Sequence, residues 1–384
     1  MKKTWIYDLE VFKPIFTATF IDKDSDEERV FVISKNRDDR NAFFFFLFNE
    51  VSGLVGYNCL HYDSQILEWF FKHPNATTEE LREYSDIIIH AEKRRPDYPE
   101  WKLTIPHLDL FRALSLSTAA KRTGLKWCEF MMDMPNIEDM PDVLDEDMVL
   151  LYNKNDVIAT KLLYTKFYYE IEIRKAMTAS EGVSLMNSTE PDMAKKLFLK
   201  YLSEATGIDK KTLSSMQTQR DIIKVKDIIF PYVKFETENF NLVLQAFQKL
   251  ILKPGEKFEF SIPYQGIDID YGLGGLHAAP KNKRISTNDT HTIRTLDGTS
   301  YYPHLSFKNK LAPAHLPQEA FTNLYESLFI QRKSIPKKDP KNYVLKITIN
   351  AAYGLMNDEF SFLRDPLVGL AICINGQLLL SMLV

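Results

Sequence analysis

Residues 4–12 read TWIYDLEVF, a run of aromatic and β-branched residues that carries two acids two positions apart. Thr4–Leu9 reads as a strand, and along a strand residues i and i+2 point to the same face. Asp8 and Glu10 therefore project together. A solvated strand end would place two acids the same way, so the pair gains meaning only beside acids elsewhere in the chain. Phe16–Ile21 and Arg29–Ser34 read as further strands with Lys13-Pro14 in the turn between the first two, and Leu54–Tyr57 as a short buried strand. Helices are expected over 38–51, 63–73, 78–92 and 147–178. Strands first and helices interleaved afterwards predict a mixed α/β domain.

The chain has 384 residues, enough for two or three domains with proper cores. Its 45% apolar and 26% charged fractions are those of an ordinary globular protein. The longest apolar run, AFFFFLF at 42–48, is too short to span a bilayer and reads as a buried helix segment. No membrane partner is expected. The N-terminus MKKTWIYDLEVF is interrupted by acids and is no signal peptide. Cys59, Cys128 and Cys373 lie far apart without a CxxC pair, against a disulfide framework or a structural zinc site. A reducing cytoplasm is the expected home. Net charge is −4, but residues 1–175 hold 23 Lys+Arg against 31 Asp+Glu, and the remainder 25 against 21. An acidic half that binds cations and a basic half that grips phosphate is one reading; chance segregation is the other.

Two further elements carry acids. In GYNCLHYD, Asp63 follows a strand-like stretch and opens a helix, where Asp also serves as an N-cap. In LYNKNDVIAT, Tyr152 and Asp156 lie four apart on one helical face. Taken in order, DxE on a strand, NxxxYD about fifty residues on, and YxxxD on a late helix resemble the three exonuclease motifs of family B DNA polymerases. Here they are Asp8/Glu10, Asn58–Tyr62–Asp63 and Tyr152–Asp156. The resemblance implies an RNase H-like 3′–5′ exonuclease domain over 1–176. It implies that Asp8, Glu10, Asp63 and Asp156 hold metal ions, that Tyr152 positions the attacking water, with Glu10 also a candidate base, and that Asn58 and Tyr62 contact DNA. Hydrolysing a phosphodiester suits two divalent cations about 3.5–4 Å apart, and Mg²⁺ or Mn²⁺ prefers carboxylate oxygen. His61 and His107 lack a His partner at useful spacing, and Asp109 is expected to organise a strand end.

Residues 177–284 read as a connector. STEPDMAKKLFLKYLSEATG is a helix ended by Gly207, IIFPYVKFETENF looks extended, and NLVLQAFQKLIL helical. IDIDYGLGGLHAAPKNKR joins Tyr271, Gly274 and Gly275 to a basic cluster that includes Lys281 and Lys283. It resembles a Gly-Gly element of phage-type family B enzymes that contacts template phosphates, although such loops also serve as plain turns.

TIRTLDGTSYYPHLSF begins as an alternating strand, with Asp297 at the strand terminus and a turn carrying Ser300 and Tyr302 directly after it, up to Pro303. It resembles the DxxSLYP motif of the same family, Tyr301 replacing Leu. The resemblance implies that Asp297 and the Gly298 carbonyl bind catalytic metals, that amides near Ser300–Tyr301 face a triphosphate, and that Tyr302 packs under a deoxyribose. A helical hairpin follows. Lys346, Asn350, Tyr353 and Gly354 fall on one stripe of its second helix, and a lysine on an apolar stripe would be unusual. They resemble KxxxNSxYG, with Ala351 replacing Ser, which implies that Lys346 and Arg332 hold the triphosphate, Asn350 supports it, and Tyr353–Gly354 packs under the nascent base pair. The implied layout is a partial palm over 285–317 and 361–384 with helical fingers over 318–360.

The family's second palm carboxylate, in a DTDS-like hairpin, has no counterpart before Val384. A split polymerase whose motif C and thumb lie on a second polypeptide, or a truncated chain, are the two expectations, with primer–template DNA and dNTPs as partners and the host cytoplasm as location if phage-encoded. The apolar end CINGQLLLSMLV is expected to be covered. A stand-alone exonuclease whose second half only binds DNA is the alternative function, and a non-catalytic assembly subunit a remoter one.

Overall fold

The computed structural model describes residues 1–91, 96–118, 121–137, 139–140, 145–280, 282 and 284–384. Two compact units result, Met1–Thr189 and Glu190–Val384. The architecture is mixed α/β.

In the first unit β1 (Lys3–Val11), β2 (Ile15–Asp22) and β3 (Glu28–Ser34) form an antiparallel meander. Helix α1 (Arg40–Asn49) leads to β4 (Val51–Gly56), which pairs parallel with β1. Helices α2 (Asp63–Lys72) and α3 (Thr78–His90) precede β5 (His107–Asp109), parallel to β4. The sheet order is β3-β2-β1-β4-β5. Then come α4 (Leu110–Ala113), α5 (Leu125–Met131), α6 (Glu146–Lys166) and α7 (Tyr168–Glu181).

The period of two divides β1 between two cores. Trp5, Tyr7, Leu9 and Val11 pack with Phe16, Phe20, Phe43, Phe46 and Phe70. Ile6 joins Val55, Leu110, Val157 and Leu163 of the other core. Each fully buried Phe contributes about 2 kcal/mol relative to an exposed one. The run at 42–48 is buried in part only: Phe43, Phe46 and Leu47 face inward, while Phe45 and Phe48 are 62% and 47% exposed. A helix buries a stripe, so a contiguous aromatic run cannot all face one core. The helix expected over 147–178 is two helices, broken at Phe167 with no Gly or Pro to mark the break. The unit continues past 176 because Asn187 ties back to β5: its Oδ1 accepts the Asp109 amide at 2.8 Å, and its Nδ2 donates to the His107 carbonyl at 2.8 Å.

The second unit runs α8 (Glu190–Thr206), α9 (Lys210–Ser215), β6 (Ile223–Lys224), α10 (Glu238–Lys249) and β7 (Ile251–Leu252). An antiparallel three-stranded sheet follows from β8 (Glu259–Tyr264), β9 (Ile267–Gly272) and β10 (Gly275–Ala279). Helices α11 (Tyr301–Lys308), α12 (Gln318–Ser334), α13 (Pro340–Asn357) and α14 (Pro366–Ser381) complete it. One core runs through Phe198, Phe247, Tyr271, Tyr325, Ile349 and Ile374, so the parts expected as connector, palm and fingers share it.

Helix α14 is the spine of this unit. Asp365 N-caps it and takes a two-bonded ion pair from Arg220, at 3.0 and 2.9 Å. Buried Asn375 accepts the Phe230 amide and donates to the Ile228 and Ala371 carbonyls, at 2.7 to 2.8 Å. These bonds explain why residues 228–233 form turns rather than the extended segment expected. The apolar C-terminal stretch is largely covered by its own unit: Ile372, Ile374 and Leu378 are buried, and Leu383 and Val384 exposed. Residues 285–298 form no strand; their backbone makes a local Asn288–His291 bond, and Ile293 and Leu296 stand in solvent. A strand needs a hydrogen-bonded neighbour, and among the described residues none pairs with this segment. Among the described residues no helix is long and apolar enough to cross a membrane.

Candidate functional site

Because Asp8 and Glu10 share the Ile6 face of β1, they point toward the helices that cover that face. Helix α6 brings Asn153 and Asp156 there: Asn153 Nδ2 donates to Asp8 Oδ2 at 2.8 Å. One carboxylate oxygen from each of Asp8, Glu10 and Asp156 lies within 4.8 Å of the others. Three acids from two elements far apart in sequence thus converge.

Asp63 is set beside them by a loop with its own internal logic. Gly56 ends β4 where a Cβ would lie 2.7 Å from Cys59 Cβ and 3.1 Å from the Tyr7 ring, so no larger residue fits without movement. Asn58 follows in the left-handed region (φ 58), a conformation Asn tolerates. Asp109 at the end of β5 accepts the Asn58 and Leu60 amides at 2.9 and 3.2 Å, the strand-end role expected of it. Helix α2 then starts at Asp63, whose Oδ1 accepts the Leu9 amide at 3.2 Å. Tyr62 bonds Ser85 Oγ at 2.7 Å. His107 is buried against the Tyr7 ring and pushed down to about 4 by that burial, which suits a neutral core histidine.

The electrostatics come from four acids in one partly buried place. Burial raises the Asp8 carboxyl well above its ordinary range, with Asp63, Glu10 and Asp156 adding repulsion and the Asn153 bond opposing it. Burial pushes Glu10 up to about 8, reinforced by Asp156 and Asp63 and relieved by Lys126. Asp63 is likewise pushed up to about 8 by burial, against the pull of backbone amides. Asp156 is raised by burial and opposed by Lys126. Lys126 Nζ lies 2.6 Å from Asp156 Oδ1 and 4.6 Å from the centre of the Tyr152 ring. Burial and the neighbouring acids also hold the Tyr152 phenol well above its ordinary range.

A cluster that resists ionising for want of positive charge is a fit for a hard divalent cation. Asp8, Glu10 and Asp156 fit it by distance, and Asp63 by position. A cleft of about 770 Å³ opens beside them, lined by Asp8, Asp156, Tyr57, Asn58, Tyr62, Ile87, Phe111 and Arg122, among others. Lys126, Asn153 and Glu129 were not anticipated. Asn153 stands inside LYNKND beside the residues that were, and Lys126–Glu129 has the i, i+3 spacing of a helical ion pair.

In the second unit the expected nucleotide residues gather in part. Ser300 adopts a left-handed conformation (φ 47) as N-cap of α11, and Arg332 Nη1 of α12 reaches its Oγ at 3.5 Å. Asn342 holds the end of α12 by donating to the Arg332 and Ile335 carbonyls at 3.0 and 2.8 Å. Tyr301 donates to the Gly376 carbonyl at 2.8 Å, and the Tyr302 and Tyr353 rings lie 4.8 Å apart. Pro303 sits in the first turn of α11 rather than after a strand. Lys346, Asn350 and Gly354 share an exposed stripe of α13 with half-buried Tyr353. The lysine is therefore on the solvent side, where amphipathic helices ordinarily keep it. Asp297 and Gly298 lie in the irregular segment ahead of α11, Asp297 exposed.

Leu273 and Gly274 form the β9–β10 turn, and Gly275 opens β10 at φ 118, a position that favours glycine. Gln377 of α14 clasps the turn through the Gly272 amide and carbonyl, each at 3.1 Å. Tyr271 is fully buried between Phe247 and Phe260, with its hydroxyl on Ser381 at 2.8 Å. Its side chain belongs to the core and offers no surface to DNA. Lys281 and Lys283 lie outside the described residues.

No family model matches this sequence, and no curated protein does. Among solved structures the chain is similar to the family B DNA polymerase from the hyperthermophilic archaeon Pyrobaculum calidifontis, with a TM-score of 0.57 and 15% identity over 99% of this chain and 50% of the polymerase. At that identity the likeness is one of fold. This chain spans half the length of that polymerase.

Proposed function

We propose that the first unit is a divalent-cation-dependent 3′–5′ DNA exonuclease and that the second binds a deoxynucleoside triphosphate and primer–template DNA, as parts of a family B replicative polymerase. The observation that carries the reading is the convergence of Asp8, Glu10 and Asp156 beside Asp63, in a chain whose fold is similar to such a polymerase.

Asp8, Glu10, Asp63 and Asp156 would hold Mg²⁺ or Mn²⁺, which supplies charge stabilisation for the attacking and leaving oxygens of phosphodiester hydrolysis. The residues of the chain do the rest. The cleft takes a single strand, with Tyr57, Tyr62 and Phe111 offering ring faces to bases, since stacking is tolerant of sequence. Tyr152 orients the attacking water while its high phenol pKa keeps it a donor. Arg122, at the cleft wall, faces the phosphate backbone.

In the second unit Arg332 and Lys346 bind the triphosphate, with Ser300, Tyr301 and the start of α11 turned toward it and Asn350 supporting. Tyr302 and Tyr353–Gly354 form the floor for sugar and base. Asp297 and the Gly298 carbonyl would hold a cation there. Gly274 and Gly275 let template phosphate approach the turn closely.

The nuclease reading is tested with a single-stranded oligonucleotide labelled at its 5′ end and incubated with the full chain and Mg²⁺. Stepwise shortening is expected. An oligonucleotide that keeps its length with Mg²⁺ or Mn²⁺ present overturns the reading.

A further inference from the structure

Helix α5 buries a carboxylate for which phosphodiester hydrolysis at the β1 acids has no use. Glu129 is fully buried, and neither carboxylate oxygen has a hydrogen-bond partner. Such a group is among the costlier arrangements a fold can keep. Beside it stands Lys126, one turn back on the same helix, with Nζ 3.3 Å from Oε1 in a contact too poorly aligned to be a hydrogen bond. The same Nζ makes a well-formed bond to Asp156 at 2.6 Å. Lys126 therefore stands between two carboxylates, one engaged and one waiting.

We propose that Glu129 is the second berth of a lysine switch. Without a divalent cation Lys126 neutralises Asp156; when a cation takes Asp156, the ammonium moves onto Glu129. The proposal rests on the reading of Asp8, Glu10, Asp63 and Asp156 as a cation site. The displacement required is small, because Nζ already touches both carboxylates and the lysine stem is flexible. The charge balance gives the switch its purpose. A lysine on Asp156 competes with the cation for the same oxygen, and a lysine driven off without a partner would remain beside the incoming charge. A buried carboxylate at the right distance removes that repulsion and keeps the ammonium near Tyr152. Glu129 acts through Lys126 and is a positioning residue.

The test is a Mn²⁺ titration by calorimetry on the full chain, without DNA, for wild type, Glu129→Gln, Lys126→Met and the double variant. Glu129→Gln is expected to weaken Mn²⁺ binding roughly three- to tenfold, the size of coupling seen between contacting residues. Lys126→Met is expected to tighten it, and adding Glu129→Gln to that background to change nothing further. Equal weakening in both backgrounds would make Glu129 a plain source of negative field and overturn the switch. So would unchanged binding in Glu129→Gln. A wild type that binds no Mn²⁺ overturns the cation site and the switch with it, whereas binding without coupling overturns the switch alone. Should Glu129→Gln lose its near-ultraviolet dichroism, Glu129→Asp takes its place in the cycle, since it draws the carboxylate back by one methylene. Weakening that depends on Lys126 then sustains the switch, and weakening independent of Lys126 overturns it.

Discussion

The Asp63 carboxylate accepts the backbone amide of Leu9 at 3.2 Å, the residue that stands between Asp8 and Glu10 on β1. The first turn of α2 is thereby pinned to the strand that carries the other two acids. The protonation of these acids is linked as well, since Asp63, Glu10 and Asp156 each raise the Asp8 carboxyl.

That unit predicts a pH dependence. In the folded chain Glu10 and Asp63 keep their protons up to about 8, while in the unfolded chain they release them near the ordinary carboxylate values of about 4. Between those values the folded state binds more protons, so stability falls as pH rises. His107, held down to about 4, acts in the opposite sense below its unfolded value of about 6.5, and the Cys59, Cys128 and Cys373 thiols, raised by burial, act in the carboxylates' sense near their unfolded value of about 8.5, so the window between isolates the carboxylates. Urea midpoints in chelator should be lower at pH about 7.5 than at about 6.5, and saturating Mn²⁺ should recover more at the higher pH. A midpoint that rises with pH contradicts the cluster's electrostatics.

Asp365 holds a different part together. It is fully buried, caps α14, accepts the Ala314 amide and pairs with Arg220 through two bonds. Asp365→Ala should cost about 3 kcal/mol or more, a fall of roughly 10 °C in the melting of the second unit. Calorimetry that finds the variant melting with wild type would show the pair to be dispensable.

On the proposed reading, Lys346 on its exposed stripe and Arg332 beside Ser300 bind one triphosphate. Replacing either by Ala should weaken dNTP binding about tenfold, as expected for a charge-assisted bond. Equilibrium binding of a fluorescent dNTP with Mg²⁺ reads this. Equal affinity in Lys346→Ala and wild type would remove the lysine from the site.

What could be read from the sequence was local. The shared face of Asp8 and Glu10 follows from a period of two, that of Tyr152 and Asp156 from a helical turn, and Asp109 from its place at the end of a short strand; what marked the acids as site candidates was their resemblance, taken in order, to three exonuclease motifs. Each needs a few neighbouring residues and no knowledge of the fold. The partners of those residues were hidden because they come from elsewhere: Lys126 arrives from α5 and Asn153 reaches across to β1. Burial was the other blind spot. GLGGLH looked like a surface element, and it does make a turn, but the adjoining Tyr271 is a core residue clasped from behind by α14. TIRTLD at 292–297 alternates like a strand, yet alternation supplies no hydrogen-bonded neighbour. The Lys346 stripe looked anomalous because the sequence does not say which side of α13 faces solvent.

The central claim is that the acids on β1 cleave DNA. The most direct measurement compares wild type with Asp8→Ala/Glu10→Ala on a 5′-labelled single strand in Mg²⁺, with fluorescent dNTP binding measured on the same preparations. The account predicts stepwise shortening by wild type, a loss of at least about a hundredfold in the variant, within the range of removing essential catalytic groups, and unchanged dNTP binding by both. Shortening that continues undiminished in the variant would contradict it.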